Sequence, residues 1–160
     1  MTFEAPIFFK TPEPVKPEWI DYNGHMNVAY YVKAFDEAVD KVNKLIGLGP
    51  EYLKEHNCST FALEARVKWL KEMREDDQMQ FKVHLLDNNK KCVLFFLTMI
   101  DYKSGNIAAT YENLLIHIDM KNRKPSEFKP EIQKNIYELL ISHKQLIKPK
   151  DLKIKIGIKK

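Results

Sequence analysis

The chain has 160 residues, 44% hydrophobic and 30% charged, with a formal net charge of +4. That length supports one domain with a core that needs no staples, and the composition excludes collagen-like, coiled-coil and disordered classes. Two cysteines, Cys58 and Cys92, exclude a disulfide framework or a four-thiolate zinc site and point to a reduced, cytoplasmic setting.

The first residues hold Glu4, Pro6 and Pro12 rather than a cationic segment followed by an apolar run, so no signal peptide is expected. No stretch approaches the ~18 apolar residues of a membrane span. Residues 3–20 read as extended and proline-rich, anchored by Ile7, Phe8, Phe9 and Trp19. Residues 28–46 predict the main helix. Val28, Tyr31, Val32, Phe35, Ala38, Val39, Val42, Leu45 and Ile46 recur at spacings of three and four, with Asn27 placed as N-cap and Gly47 as the left-handed terminator. A short helix is expected over Pro50–His56, with proline in its first turn.

The period then changes from 3.6 to 2. Phe61, Leu63, Ala65, Val67 and Trp69 alternate with Ala62, Glu64, Arg66 and Lys68, the pattern of a half-buried strand. Further strands are expected over 79–86, 92–100 and 107–118, separated by turns at Asp87-Asn88-Asn89 and Lys103-Ser104-Gly105-Asn106. A last amphipathic helix is expected over 131–142. Strands joined by short turns are antiparallel, so the fold class is α+β, a long helix laid on a curved antiparallel sheet. Residues 1–143 read as a single domain. Residues 144–160 read as a basic tail, with seven lysines against Asp151 alone. The body without that tail is slightly acidic and shows no basic–aromatic surface, so no nucleic-acid partner is expected. An alternation at Leu152–Ile156 suggests a short edge strand in the tail.

Chemistry concentrates in Trp19-Ile20-Asp21-Tyr22-Asn23-Gly24-His25-Met26-Asn27, directly before the long helix. The first amides of a helix have no intrahelical partners and carry the positive end of its dipole, which polarises a carbonyl and stabilises an oxyanion. Asp21 in the preceding loop is placed to attack that carbonyl or to activate water, and Gly24 lets the backbone turn between the two.

Asp21-x-x-Gly24-His25-x-Asn27, followed by Tyr30-Tyr31 at a helix start, resembles the hotdog-fold thioesterases of the 4-hydroxybenzoyl-CoA thioesterase type. The resemblance runs from residue 14 to about 140. Phe61–Val67 and Leu114–Met120 look like the carnitinyl- and betainyl-CoA thioesterases within that group. The resemblance implies an acyl-CoA substrate, no metal, no bound cofactor, and active sites formed between the two subunits of a homodimer or a larger homo-oligomer. It implies Asp21 as the catalytic carboxylate, acting as nucleophile or general base, the Val28 amide as the group that polarises the thioester, and His25 and Asn27 as catalytic-loop residues that shape the loop and orient substrate or water. Glu64 is implied as a second acid–base group. On the substrate side the candidates are Gly24, Tyr30, Tyr31, Trp69 and Arg66.

Plainer readings stand beside these. Asp21 suits a turn that bonds its own backbone, Asn27 a helix cap, and Glu64 a salt-bridged solvent face shared with Arg66 and Lys68. Tyr30, Tyr31 and Trp69 suit core or interface. A metal at His25 lacks a second ligand at useful spacing, and His56, His84, His117 and His143 fall in no constellation. Aromatic faces for a trimethylammonium acyl group are available at Trp19, Tyr22, Tyr31 and Trp69. Two other functions use this kind of scaffold: enoyl-CoA hydration, disfavoured because Asp21 and His25 stand four apart with Gly24 between them, and acyl-CoA binding without catalysis.

Overall fold

The computed structural model describes residues 7–8, 11–144, 146 and 156–158. Helix α1 spans Val28–Leu45, α2 Pro50–His56 and α3 Pro130–Lys144, with a 3-10 turn at Pro17–Trp19. The long strands are β3 (Cys58–Trp69), β4 (Gln78–Asn88), β5 (Cys92–Asp101) and β6 (Ile107–Asp119); β1 (Ile7–Phe8), β2 (Glu13–Pro14) and β7 (Lys124–Pro125) are two-residue pairings at the margins. Among the described residues all seven pair antiparallel in one sheet, ordered β1-β4-β5-β6-β3, with β2 on β4 and β7 on β6. Register shifts in the β3–β6, β4–β5 and β5–β6 pairs bend the sheet into a curled half-barrel. The α+β hotdog architecture expected from the sequence is the one formed.

Helix α1 lies on the inner face. Ala34, Phe35, Ala38, Val39 and Val42 pack against Phe81, Phe95, Leu97, Tyr111 and Leu115 from the sheet, and Ile132, Ile136 and Leu139 of α3 extend the same core. Asn27 caps α1 by accepting from the Ala29 amide at 2.9 Å. Gly47 ends it at φ +90°, a conformation that favours glycine, and an added Cβ there would also have to displace Ile132 Cδ1 from 2.9 Å. The apolar stripe read from the sequence is wider than the buried one: Val28 and Val32, one turn apart, stay exposed.

Strand β3 departs most from expectation. It is an edge strand, exposed from Ala62 to Arg66, rather than half-buried. Its register slips between Ala62 and Glu64, so Leu63 bulges and the alternation changes face there. Ala62, Ala65, Val67 and Trp69 oppose Leu115, Asn113, Tyr111 and Ala109 on the inner face. Phe61 and Glu64 oppose Ile116 and Leu114 on the outer face, where Arg123 sits over the Phe61 ring. On that outer face Ile156 is buried with Leu94 and Leu114, and its N–H donates to Glu112 Oε2. Phe9 and Leu152–Lys155 lie outside the described residues.

Three of the histidines that the sequence left unassigned are buried in the fold. His117 accepts from or donates to its neighbours at both nitrogens, Nε2 to the Tyr52 hydroxyl at 2.9 Å and Nδ1 to Ser126 Oγ at 2.9 Å, tying α2 to β6. His143 Nδ1 accepts from the Leu85 amide at 2.7 Å, and its ring meets His84 edge-on, 5.8 Å between centroids. Burial pushes both His84 and His143 down to about 4. The unfolded chain protonates these rings near 6.5 while the folded chain holds them neutral, so stability falls as pH drops from 6.5 towards 4. Urea unfolding at pH 7 and pH 5 will show this loss. A His84→Met variant will lose less over the same interval, by up to about 1 kcal/mol per pH unit.

Candidate active site

The loop before α1 is a tight hairpin. Asp21 N–H donates to the His25 carbonyl and Gly24 N–H to the Asp21 carbonyl, both at 3.0 Å, with Gly24 at φ +79°. Ile20 and Met26 bridge antiparallel across it. Outside the hairpin, Asn27 N–H donates to the Trp19 carbonyl and Met26 N–H to Met73. Trp19 is buried and stacks on Tyr30 at 5.4 Å, which fixes the loop to the first turn of α1.

A cleft of about 290 Å³ opens beside this turn, lined by His25, Met26, Val28, Tyr31, Trp69, Leu70, Lys71 and Glu72. Ala29 N–H is taken by the Asn27 side chain and Tyr30 N–H by the Asn27 carbonyl. The Val28 N–H has no hydrogen-bond partner among the described residues, and Val28 lines the cleft. His25 donates from Nδ1 to the Met26 carbonyl at 3.2 Å. The opposite wall follows β3 and is held by two anchors. The Tyr31 hydroxyl accepts from Met73 N–H at 2.9 Å. Lys71 Nζ contacts Asp101 at 2.7 Å, and with Ser104 it holds that carboxyl down to about 2.

Of the residues singled out from the sequence, the cleft gathers His25, Val28, Tyr31 and Trp69. Asp21 stands four residues from His25 in the same hairpin but is not among the lining residues. Its Oδ1 accepts from Asn23 N–H at 2.8 Å, the turn geometry of the plainer reading, and Oδ2 has no partner among the described residues. Tyr30 stacks one face on Trp19 and does not line the cleft, and Trp19 itself is buried, which withholds it as an aromatic face for substrate. Glu64 and Arg66 lie on the outer face of β3, where Arg66 pairs with Glu112 at 3.1 Å. Missed altogether was the wall from Leu70 to Glu72, which no periodicity marks. Also missed was a second cavity lined by Asp40, Asn43, Lys44, Ser59 and Thr60. Its one sequence signal is Asn43 beside Val42 in an otherwise apolar helical stripe. No group of three or more His, Cys, Asp or Glu among the described residues could hold a metal.

Residues 15–136 match the family model of the thioesterase-like superfamily. A betainyl-CoA thioesterase of Pseudomonas aeruginosa is 29% identical over 91% of this chain and 91% of its own length. A Rhizobium meliloti L-carnitine dehydrogenase/betainyl-CoA thioesterase is 29% identical over 84% of this chain, which spans 27% of that longer protein. A Staphylococcus aureus protein whose structure was determined in complex with CoA superposes with a TM-score of 0.85 at 24% identity, over 99% of this chain and 100% of that one. The chain belongs to the thioesterase-like superfamily. Its reaction is the hydrolysis of an acyl-CoA thioester to free acid and CoA.

Tyr31→Phe removes the acceptor for the Met73 amide. The expected outcome is a loss of about 1–2 kcal/mol in chemical unfolding, together with a rise in KM as the cleft wall loosens; an unchanged unfolding midpoint would show that the hydroxyl does not hold this wall.

Proposed function

We propose that Asp21 and the Val28 amide form the hydrolytic pair, that two copies of the chain complete the cleft, and that the acyl group is betainyl or a close cationic analogue. The unpartnered Val28 N–H in the cleft wall carries this reading. A thioester oxygen seated there meets a donor at the positive end of the helix dipole, and the oxyanion formed on attack gains more from it than the ground-state carbonyl does. Asp21 attacks the carbonyl carbon or takes a proton from the attacking water, and its free Oδ2 is the atom for either role. His25 sets the loop through the Met26 carbonyl, Asn27 presents the amide, and Gly24 supplies the turn. Glu64 and Arg66, on the outer face, are assigned to the sheet surface rather than to the reacting atoms. Acyl identity follows the Pseudomonas aeruginosa relative. Trp69, half-exposed on the cleft, offers a face to a quaternary ammonium.

Dimerisation is supported by the outer edge of β3, which pairs with no strand among the described residues, together with exposed Leu63, Trp69 and Leu70 beside Val28 and Val32. An edge twelve residues long, unpaired among the described residues and carrying apolar side chains, is a surface that proteins cover. A reduced, cytoplasmic setting accords with two free cysteines, and no helix among the described residues is long and apolar enough to cross a membrane.

Asp21→Asn keeps the acceptor for Asn23 N–H and removes the base. Its unfolding midpoint should match the parent while thiol release from betainyl-CoA falls by about 10²–10⁴-fold. Parental turnover in that variant would remove Asp21 from the mechanism. Loss of enoyl absorbance from crotonyl-CoA without thiol release would instead indicate hydration.

A further inference from the structure

At the other end of α1 from the Val28 cleft, a cavity of about 310 Å³ lies between the helix, the turn into α2 and the first residues of β3. Its polar wall is Asp40, Asn43, Lys44, Ser59 and Thr60. Asn43 is only 6% exposed, and its Oδ1 has no hydrogen-bond partner among the described residues. A buried acceptor left unmet is costly, and such groups in native proteins are usually met by water, a ligand or another chain. The Asp40 carboxyl is raised by burial and then by Asp36 one turn earlier, with Glu37 adding to the effect and Lys44 opposing it. Crowded, partly dehydrated carboxylates gain from an incoming cation.

Within one chain this cavity serves no thioester at Val28. Val28 and Asn43 are separated by about 22 Å of helix, while a betainyl group reaches less than about 5 Å beyond its carbonyl at ordinary bond lengths. Strand β3 links the two places differently. Ser59 and Thr60 at its start wall this cavity, and Trp69 at its end walls the Val28 cleft. When two copies join antiparallel along the free β3 edge, about an axis near the Leu63 bulge, the start of each strand lies against the end of the other. The cavity of one protomer is then beside the cleft of its partner.

We propose that the Asp40–Asn43 cavity of each protomer is the acyl-end subsite of its partner's cleft and receives an acyl group bearing a quaternary ammonium. The inference rests on the dimeric thioesterase reading above. A quaternary ammonium has no N–H to donate. It presents polarised methyl groups, which match the oxygens of Asp40, Asn43, Ser59 and Thr60. Lys44 opposes the cation and sets a limit on its preference.

The test compares thiol release from betainyl-CoA with release from 3,3-dimethylbutanoyl-CoA, its neutral isostere with carbon in place of nitrogen. The parent enzyme should favour the cationic ester in kcat/KM by about tenfold, the scale of one moderately screened charge interaction. Asp40→Asn and Asn43→Leu should bring that ratio towards one, and Lys44→Met should raise it. Hybrid dimers of an Asp21→Asn protomer with an Asp40→Asn protomer test the crossing. With subsites shared between protomers, one intact site re-forms and the parental preference returns at half the parental rate. With sites contained in single protomers, the hybrid keeps activity without preference, which would overturn the proposal. Equal hydrolysis of both esters by the parent, or variants that slow both equally, would also overturn it while leaving the hydrolase reading intact. No thiol from either ester, nor from other acyl-CoA esters, would remove that reading and this one together.

Discussion

Phe35 sets the position of everything else. It is fully buried, stacked on Tyr111 of β6 at 5.1 Å and edge-on to Phe81 of β4 at 5.8 Å. One ring thereby locks α1 to strands on both sides of β5, and such aromatic contacts add about 0.5–1.5 kcal/mol each beyond area burial. A helix held at its middle in this way has little freedom to roll or slide. Its first turn must emerge beside Trp69, and its last must end against α2 and the start of β3. Both cavities lie at those two places, so their spacing is a property of the core rather than of the loops.

The stability of α1 and the chemistry proposed at its first turn draw on the same amides. Capping by Asn27 satisfies Ala29 and the helix continues from there. Satisfying Val28 from within the chain would add stability of the same kind and remove the donor proposed to polarise a substrate. The loop resolves this by stacking Trp19 on Tyr30 and bonding Asn27 N–H to Trp19, so the hairpin is held without touching Val28. Tyr31 extends the arrangement, since its ring is buried in the core and its hydroxyl holds Met73 across the cleft. The wall is therefore positioned by the helix that carries the amide.

How far the sequence exposed this depends on the range of each cause. Helix α1 and its two ends were legible because a 3.6 period, a cap at Asn27 and a stop at Gly47 are local signals. Helix α2, with proline in its first turn, was legible for the same reason. The hairpin of residues 20–26 was marked by residue type, although whether Asp21 faces a cavity is a tertiary matter that spacing does not encode. The wall at Leu70–Glu72 is placed by Tyr31, some forty residues away, and the His84–His143 contact by packing between β4 and α3. Neither leaves a periodic trace. Burial of Asn43 was visible only as a polar residue inside an apolar stripe, which by itself is as often a surface position.

The β3 bulge shows why a correct strand can still carry a wrong face. Alternation alone places Phe61, Leu63, Ala65, Val67 and Trp69 together, and one inserted residue divides them. Had the register run without the slip, Glu64, Arg66 and Lys68 would have shared the inner face with Ala62, beneath the exposed flank of α1. Charges covered there would have to be paired or would remain dehydrated at a cost. The bulge sends them outward, where Arg66 meets Glu112 and Glu112 also accepts from Ile156. It leaves the inner face with Ala62 and Ala65, small and uncharged, between the Thr60 end and the Trp69 end of the strand. A single extra residue thus leaves the inner face small and uncharged between the two cavities and sends the charged side chains to the opposite face.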